Sequence, residues 1–69
     1  MDELSNTIAV LRATKQISQT ELAEAIGVSR KTISTVETGR FTPSVVIALK
    51  LANFFEVPVE QIFTLNKPS

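Results

Sequence analysis

The chain holds only two glycines, Gly27 and Gly39, and each falls where a run of helical spacing stops. The first begins Gly27-Val28-Ser29, a short joint between two periodic segments. So short a joint sets the second segment at a steep angle to the first and presses the two together. Before it, Ser18-Gln19-Thr20-Glu21 reads as a capping box. The Ser18 hydroxyl can accept from the backbone N–H of Glu21, and the Glu21 carboxylate can reach back to Ser18. Leu22, Ala25 and Ile26 give this segment a buried stripe, and Ala23 must be small because the next helix crosses over it. After the joint, Ser29 caps a second helix with Ile33 and Val36 inward and Gly39 just past its end.

The flanking segments also read as helices. Leu4, Ile8 and Leu11 fall at i, i+4 and i+7, which predicts a first helix from about Glu3 or Asn6 to Thr14, with Asp2 and Ser5 as rival N-caps. Thr42-Pro43 reads as a cap followed by Pro at the first helical position. Val45, Ala48, Leu49, Ala52 and Phe55 then form the core face of a fourth helix. Pro58 opens a last short helix, "VEQIF", with Ile62 inward. "TLNKPS" is expected to be a loose tail, about residues 66–69, or a short extended piece. No hairpin signal is present. The reading is all-α: one domain, residues 1–69, folded as a compact five-helix bundle.

Composition narrows the function. A domain of 69 residues buries only about 60% of its unfolded surface. There is no Cys and no His, so disulfides, thiolate metal sites and the usual general base are absent. No metal and no cofactor is expected, and no enzyme: Glu21 and Glu24 are a capping and a surface residue rather than a catalytic pair. Self-association is the remaining source of extra stability. "MDELSNTIAV" lacks a basic region followed by a long apolar run, so no signal peptide is expected. "VVIALKLANFF", interrupted by Lys50 and Asn53, is too short to span a bilayer. The lack of Cys fits a reducing cytoplasm. Formal net charge is zero, but Arg12, Lys15, Arg30, Lys31 and Arg40 lie in the first forty residues. Asp2, Glu3, Glu56 and Glu60 lie near the ends, so a neutral total is compatible with one positive face.

Two short helices joined by "GVS", with Leu22, Ile26, Val28, Ile33 and Val36 filling the wedge between them, make a helix-turn-helix. The run "ISQTELAEAIGVSRKTISTVETGRFTPS", followed by an apolar helix and "VPVEQIF", resembles the Cro/cI-type, phage-repressor-like helix-turn-helix family, also called the xenobiotic-response-element family. The resemblance covers roughly residues 8 to 65. It implies a lambda-repressor-like DNA-binding domain in a bacterial or phage-encoded, nucleoid-associated cytoplasmic regulator. The partner would be double-stranded DNA, bound through a recognition helix at about 30–37.

That role accounts for a helix built from poor helix formers. Short donors leave room for the groove walls, and a few long side chains reach base edges. Arg30 and Lys31 are the long ones, in the first turn. By position, the resemblance implies base contacts from Arg30, Lys31 and Thr35, with Ser34 as a further candidate. Ser29, Thr32 and Thr38 are expected to donate to phosphates or bases. Gln19, Arg40 and Phe41, the last through its main-chain N–H, are expected on the DNA backbone. Lys15 is either solvated or a phosphate contact. Arg12 and Glu37 match a structural ion pair joining the first helix to the recognition helix.

The fourth helix is apolar on too many sides. Val46 shares the face of Lys50 and Asn53, and surplus apolar surface marks an interface. Family analogy places a homodimer contact around Thr42, Val59 and Phe63, to which Val46 and Leu65 are added. The expected function is a homodimeric repressor on an inverted repeat, with control by concentration, by the dimer equilibrium or by a protein co-regulator. The alternative is an antitoxin-like module whose apolar surface holds a partner protein, with DNA binding secondary.

Overall fold

Four of the five helices end in the same backbone device. The computed structural model describes residues 3–66, in the order β1 (Glu3–Asn6), α1 (Ile8–Lys15), α2 (Gln19–Ile26), α3 (Arg30–Glu37), α4 (Val45–Phe55), α5 (Val59–Ile62) and β2 (Phe63–Asn66). Gln16, Gly27, Gly39 and Glu56, which follow α1 to α4, have φ of 58°, 74°, 77° and 58°. After each, the next N–H folds back onto the last turn: Ile17 to the Arg12 carbonyl at 3.1 Å, Val28 to Ala23 at 2.9 Å, Arg40 to Thr35 at 3.0 Å and Val57 to Ala52 at 3.1 Å. This bonding satisfies carbonyls that a helix end otherwise orphans and reverses the chain within a residue or two. Ile17, Val28 and Val57 then turn inward against the core.

Two of these left-handed positions carry a side chain. A non-glycine residue there is strained by ~1–2 kcal/mol, partly offset by the entropy glycine itself loses. Glu56→Gly is therefore expected to stabilise the fold by about 0.5–1 kcal/mol, read as a rise in thermal midpoint of a few degrees. Gly27→Ala should do the reverse, because nothing lies within 4 Å of an added Cβ and the backbone alone carries the penalty.

Each helix gives the core one side chain with 0% exposure: Ile8, Leu22, Ile33, Leu51 and Ile62. Ala23, Ile26, Val36, Ala52 and Phe55 complete the buried cluster. Ala23 is buried where α3 crosses α2, whereas Ala25, expected in the stripe, is exposed.

The all-α reading needs correction at both ends of the chain. The segment Glu3–Asn6 is not the start of a helix, and Ser5 is not a cap. It is a strand paired antiparallel to β2, with Leu4 opposite Leu65 and Asn6 opposite Phe63. Leu4 therefore continues the helical spacing of Ile8 and Leu11 without being helical. Asn6 Oδ1 accepts from the Ile8 N–H at 3.1 Å, which starts α1 later than expected. Asp2, the other proposed cap, lies outside the described residues. "TLNKPS" takes its extended alternative as far as Asn66, so the tail expected at 66–69 is paired at its first residue, and 67–69 are outside the description. α5 stops at Ile62, with Phe63 already in the strand.

The fourth helix starts two residues later than read. Its N-cap is Ser44, whose hydroxyl accepts from the Ile47 N–H at 3.2 Å; Thr42 is no cap, and Pro43 precedes the helix. Its inward stripe is Leu51, Ala52 and Phe55, supported by Ile47 and Phe54. Val45 and Leu49, expected in the core, are 74% and 53% exposed.

Candidate nucleic-acid interface

The recognition segment is built from its caps. At α2 the capping box is complete: the Glu21 N–H donates to Ser18 Oγ at 3.0 Å, and the Ser18 N–H donates to Glu21 Oε1 at 2.9 Å. This places Gln19 on the first turn. At α3, Ser29 Oγ accepts from the Thr32 N–H at 3.1 Å. Ile33 and Val36 bury one side of α3 against Leu22, Ala23 and Ile26. The opposite side is left to Arg30 and Lys31, both exposed, with Thr32, Ser34 and Thr35 half-buried beside them and Thr38 exposed. Neither cation has a carboxylate partner among the described residues. Two positive charges at a helix N-terminus work against its dipole by a few tenths of a kcal/mol each.

The hydroxyls of this face are not all donors toward a ligand. Thr35 Oγ1 donates back to the carbonyls of Lys31 and Thr32, at 2.9 and 3.1 Å. Thr38 does the same to Ser34 and Thr35, at 3.0 and 3.2 Å. A hydroxyl has one proton, so these two threonines present a methyl and lone pairs outward. Ser29 and Thr32 bond each other at 2.9 Å. That bond uses one of the pair's two protons, and Ser34, with no such bond among the described residues, keeps its own, so each site can still donate. After α3, Arg40 and Phe41 are exposed, and the Phe41 N–H donates to no backbone carbonyl among the described residues.

A polar clamp fixes the base of the helix. Arg12 Nε donates to Glu37 Oε2 at 2.6 Å and Nη2 to Oε1 at 3.2 Å, while Nη1 donates to the Ile17 carbonyl at 3.0 Å. Their side chains are 19% and 9% exposed. The hydrogen bonding to Glu37 and, more weakly, the Coulombic attraction of its carboxylate raise the pKa of Arg12, against the desolvation that lowers it. Gln19 Nε2 joins the clamp, donating to Glu37 Oε1 at 3.1 Å, so one amide proton remains for a ligand. Lys15 lies with its Nζ 5.6 Å from the centre of the Phe54 ring.

One contributor is absent from the sequence reading. Asn6 Nδ2 donates to the carbonyls of Val36 and Glu37 at 3.0 and 3.3 Å, tying β1 to the last turn of α3. An Asn just before a helix start signals the local turn, but nothing local signals a partner thirty residues away.

The apolar surface lies elsewhere. Val46 and Leu65 are 61% and 56% exposed, and Thr42 is exposed, whereas Val59 and Phe63 are half-buried against the core. Val45 and Leu49 extend the patch around Val46.

The family pattern described as "Helix-turn-helix" matches residues 8–62. An uncharacterized HTH-type transcriptional regulator of Methanocaldococcus jannaschii is 42% identical over 87% of this chain and 91% of its own length. The cryptic phage CTXphi transcriptional repressor RstR of Vibrio cholerae is 34% identical over 84% of this chain and 52% of its own. Among solved structures, the restriction-modification controller protein C.AhdI of Aeromonas hydrophila superposes with a TM-score of 0.71 at 34% identity, covering 77% of this chain and 80% of that one.

Proposed function

The chain belongs to the helix-turn-helix family of non-enzymatic DNA-binding transcriptional regulators, and from that premise we propose that it is a homodimeric repressor reading an inverted-repeat operator with α3. The observation that carries this reading is the first turn of α3, where Arg30 and Lys31 stand exposed without a carboxylate partner among the described residues. Arg30 is matched to a guanine edge and Lys31 to a base or phosphate. Ser34 supplies a free hydroxyl donor, and the Thr35 methyl suits a thymine methyl. The remaining Gln19 amide proton, the Ser29–Thr32 pair, Arg40 and the Phe41 N–H serve the phosphates on either side, whereas Thr38, expected there too, has its proton turned to the Ser34 and Thr35 carbonyls. The repressor RstR supports the sign of regulation. Such a regulator works on cytoplasmic DNA, and among the described residues no helix is long and apolar enough to cross a membrane.

In a two-fold dimer built from Thr42, Val46, Val59, Phe63 and Leu65, the recognition helices would enter successive major grooves ~34 Å apart. Selection from random duplexes is expected to enrich an inverted repeat bound with a steep salt dependence, log affinity falling by ~0.9 per phosphate neutralised. Enrichment of no sequence would contradict the reading. Sedimentation should show a dimer that Val46→Lys and Leu65→Lys convert to a folded monomer, since both side chains are more than half exposed.

The contiguous exposure of Val45, Val46 and Leu49 favours one second reading, an antitoxin-like module holding a partner protein. In that case the purified chain stays monomeric or aggregates until the partner is added.

A further inference from the structure

We propose that Asn6 is a positioning residue that transmits the geometry of the dimer to α3 and thereby sets which operator spacing the protein accepts. The inference rests on the homodimeric, inverted-repeat reading above.

Asn6 ends β1, half-buried, and its backbone stands opposite Phe63 of β2. Its side chain is engaged at every function. Oδ1 accepts from the Ile8 N–H, and Nδ2 bridges the Val36 and Glu37 carbonyls. Last-turn carbonyls lack partners inside their own helix, so the amide grips α3 from outside, at the end opposite its base-reading turn. The next residue holds the other side: the Thr7 N–H donates to the Ile62 carbonyl at 2.9 Å, and Thr7 Oγ1 donates to the Gln61 carbonyl at 2.9 Å. Asn6-Thr7 therefore couples the end of α3 to α5 and β2.

Those two elements carry Val59, Phe63 and Leu65, the expected dimer contacts. The link from the two-fold axis to the recognition helix runs through β2, across the strand pair to Asn6, and through its amide to α3. The clamp of Glu37 with Arg12 and Gln19 holds α3 within its own subunit; the Asn6 amide bonds it to the sheet. Without that amide, each subunit still presents Arg30 and Lys31 to a half-site, but the angle between the two helices relaxes. Half-site spacing is a geometric consequence of that angle.

Asn6→Ser and Asn6→Asp separate the two ends of the side chain. Both keep an oxygen for the Ile8 N–H, and both lose the two-proton Nδ2 amide that bridges the Val36 and Glu37 carbonyls, the shorter Ser hydroxyl having one proton and the Asp carboxylate none; a folding failure of one variant leaves the other. The intact chain is assayed by circular dichroism, then for binding to the selected inverted repeat, to repeats with one base pair added or removed between half-sites, and to a single half-site duplex. Half-site affinity is expected to stay within ~3-fold of the unsubstituted protein, while affinity for the full site falls ~10-fold and the preference for one spacer flattens. A folded variant with an unchanged spacer profile overturns the proposal. So does an equal loss on half and full sites, which makes Asn6 merely structural for α3. If the unsubstituted protein prefers no paired half-sites, the homodimer reading fails first, and this inference falls with it.

Discussion

Glu37→Ala is expected to destabilise the fold by about 3 kcal/mol, because removing one partner of a mostly buried ion pair leaves the other charge uncompensated. The Glu37 carboxylate accepts from Arg12 Nε, Arg12 Nη2 and Gln19 Nε2. Without it, Arg12 keeps one bond, to the Ile17 carbonyl. The 19% exposure of the Arg12 side chain allows some hydration, which places the loss at the low end of the range for buried pairs. In a domain of this size that corresponds to a fall in midpoint of about 12–24 °C. Replacing both residues together, Arg12→Met with Glu37→Leu, should restore most of the loss, since apolar pairs of similar volume can replace a buried ion pair. The folded-state pKa of Arg12 is raised, so its contribution is present throughout the ordinary pH range and disappears only as pH rises through that strongly basic value. Urea unfolding at neutral pH measures the effect; a loss below about 1 kcal/mol would place the pair with ordinary surface bridges.

Arg30→Ala and Lys31→Ala are expected to move stability and binding in opposite directions. Each removes a cation from the N-terminal turn of α3, so the fold should gain a few tenths of a kcal/mol. On the selected operator, Arg30→Ala should cost about 1–3 kcal/mol, up to ~100-fold in affinity, and relax specificity at one base pair of each half-site. Lys31→Ala behaves likewise if it reads a base. If it touches a phosphate, it lowers affinity evenly across sequences and reduces the salt slope by ~1. Titration of operator and unrelated duplexes at two salt concentrations separates these outcomes. A double variant that binds its operator as tightly as the unsubstituted protein would remove α3 from the interface.

The middle of the fold was legible from local chemistry. The capping box, the Ser29 cap and the two left-handed glycines each act within a few residues, so Gln19–Glu37 could be read along the chain. The ends were not. Glu3–Asn6 becomes a strand because Phe63–Asn66 pairs with it, and Leu4 falls in helical register with Ile8 and Leu11, which masks the pairing. In α4, apolar residues on nearly every side leave several stripes equally acceptable. Ala52 and Phe55 belong to both the expected and the observed face, and packing against α2 and α5 chooses Leu51 over Leu49. Within the site, the exposure of Arg30 and Lys31 followed from the inward placement of Ile33 and Val36. The inward-turned hydroxyls of Thr35 and Thr38 did not, because rotamer choice is invisible in spacing, and the reach of Asn6 to α3 depends on the unforeseen sheet.

The central claim is that the turn beginning at Ser29 enters a duplex groove. Amide chemical-shift mapping of isotopically labelled protein, titrated with the selected inverted repeat, tests it most directly. The expected perturbations fall on Gln19, on residues 29–35 and on residues 38–41, while the exposed face of α4 is silent. Perturbations confined to α4 and β2, with Arg30 and Lys31 unmoved, would contradict it.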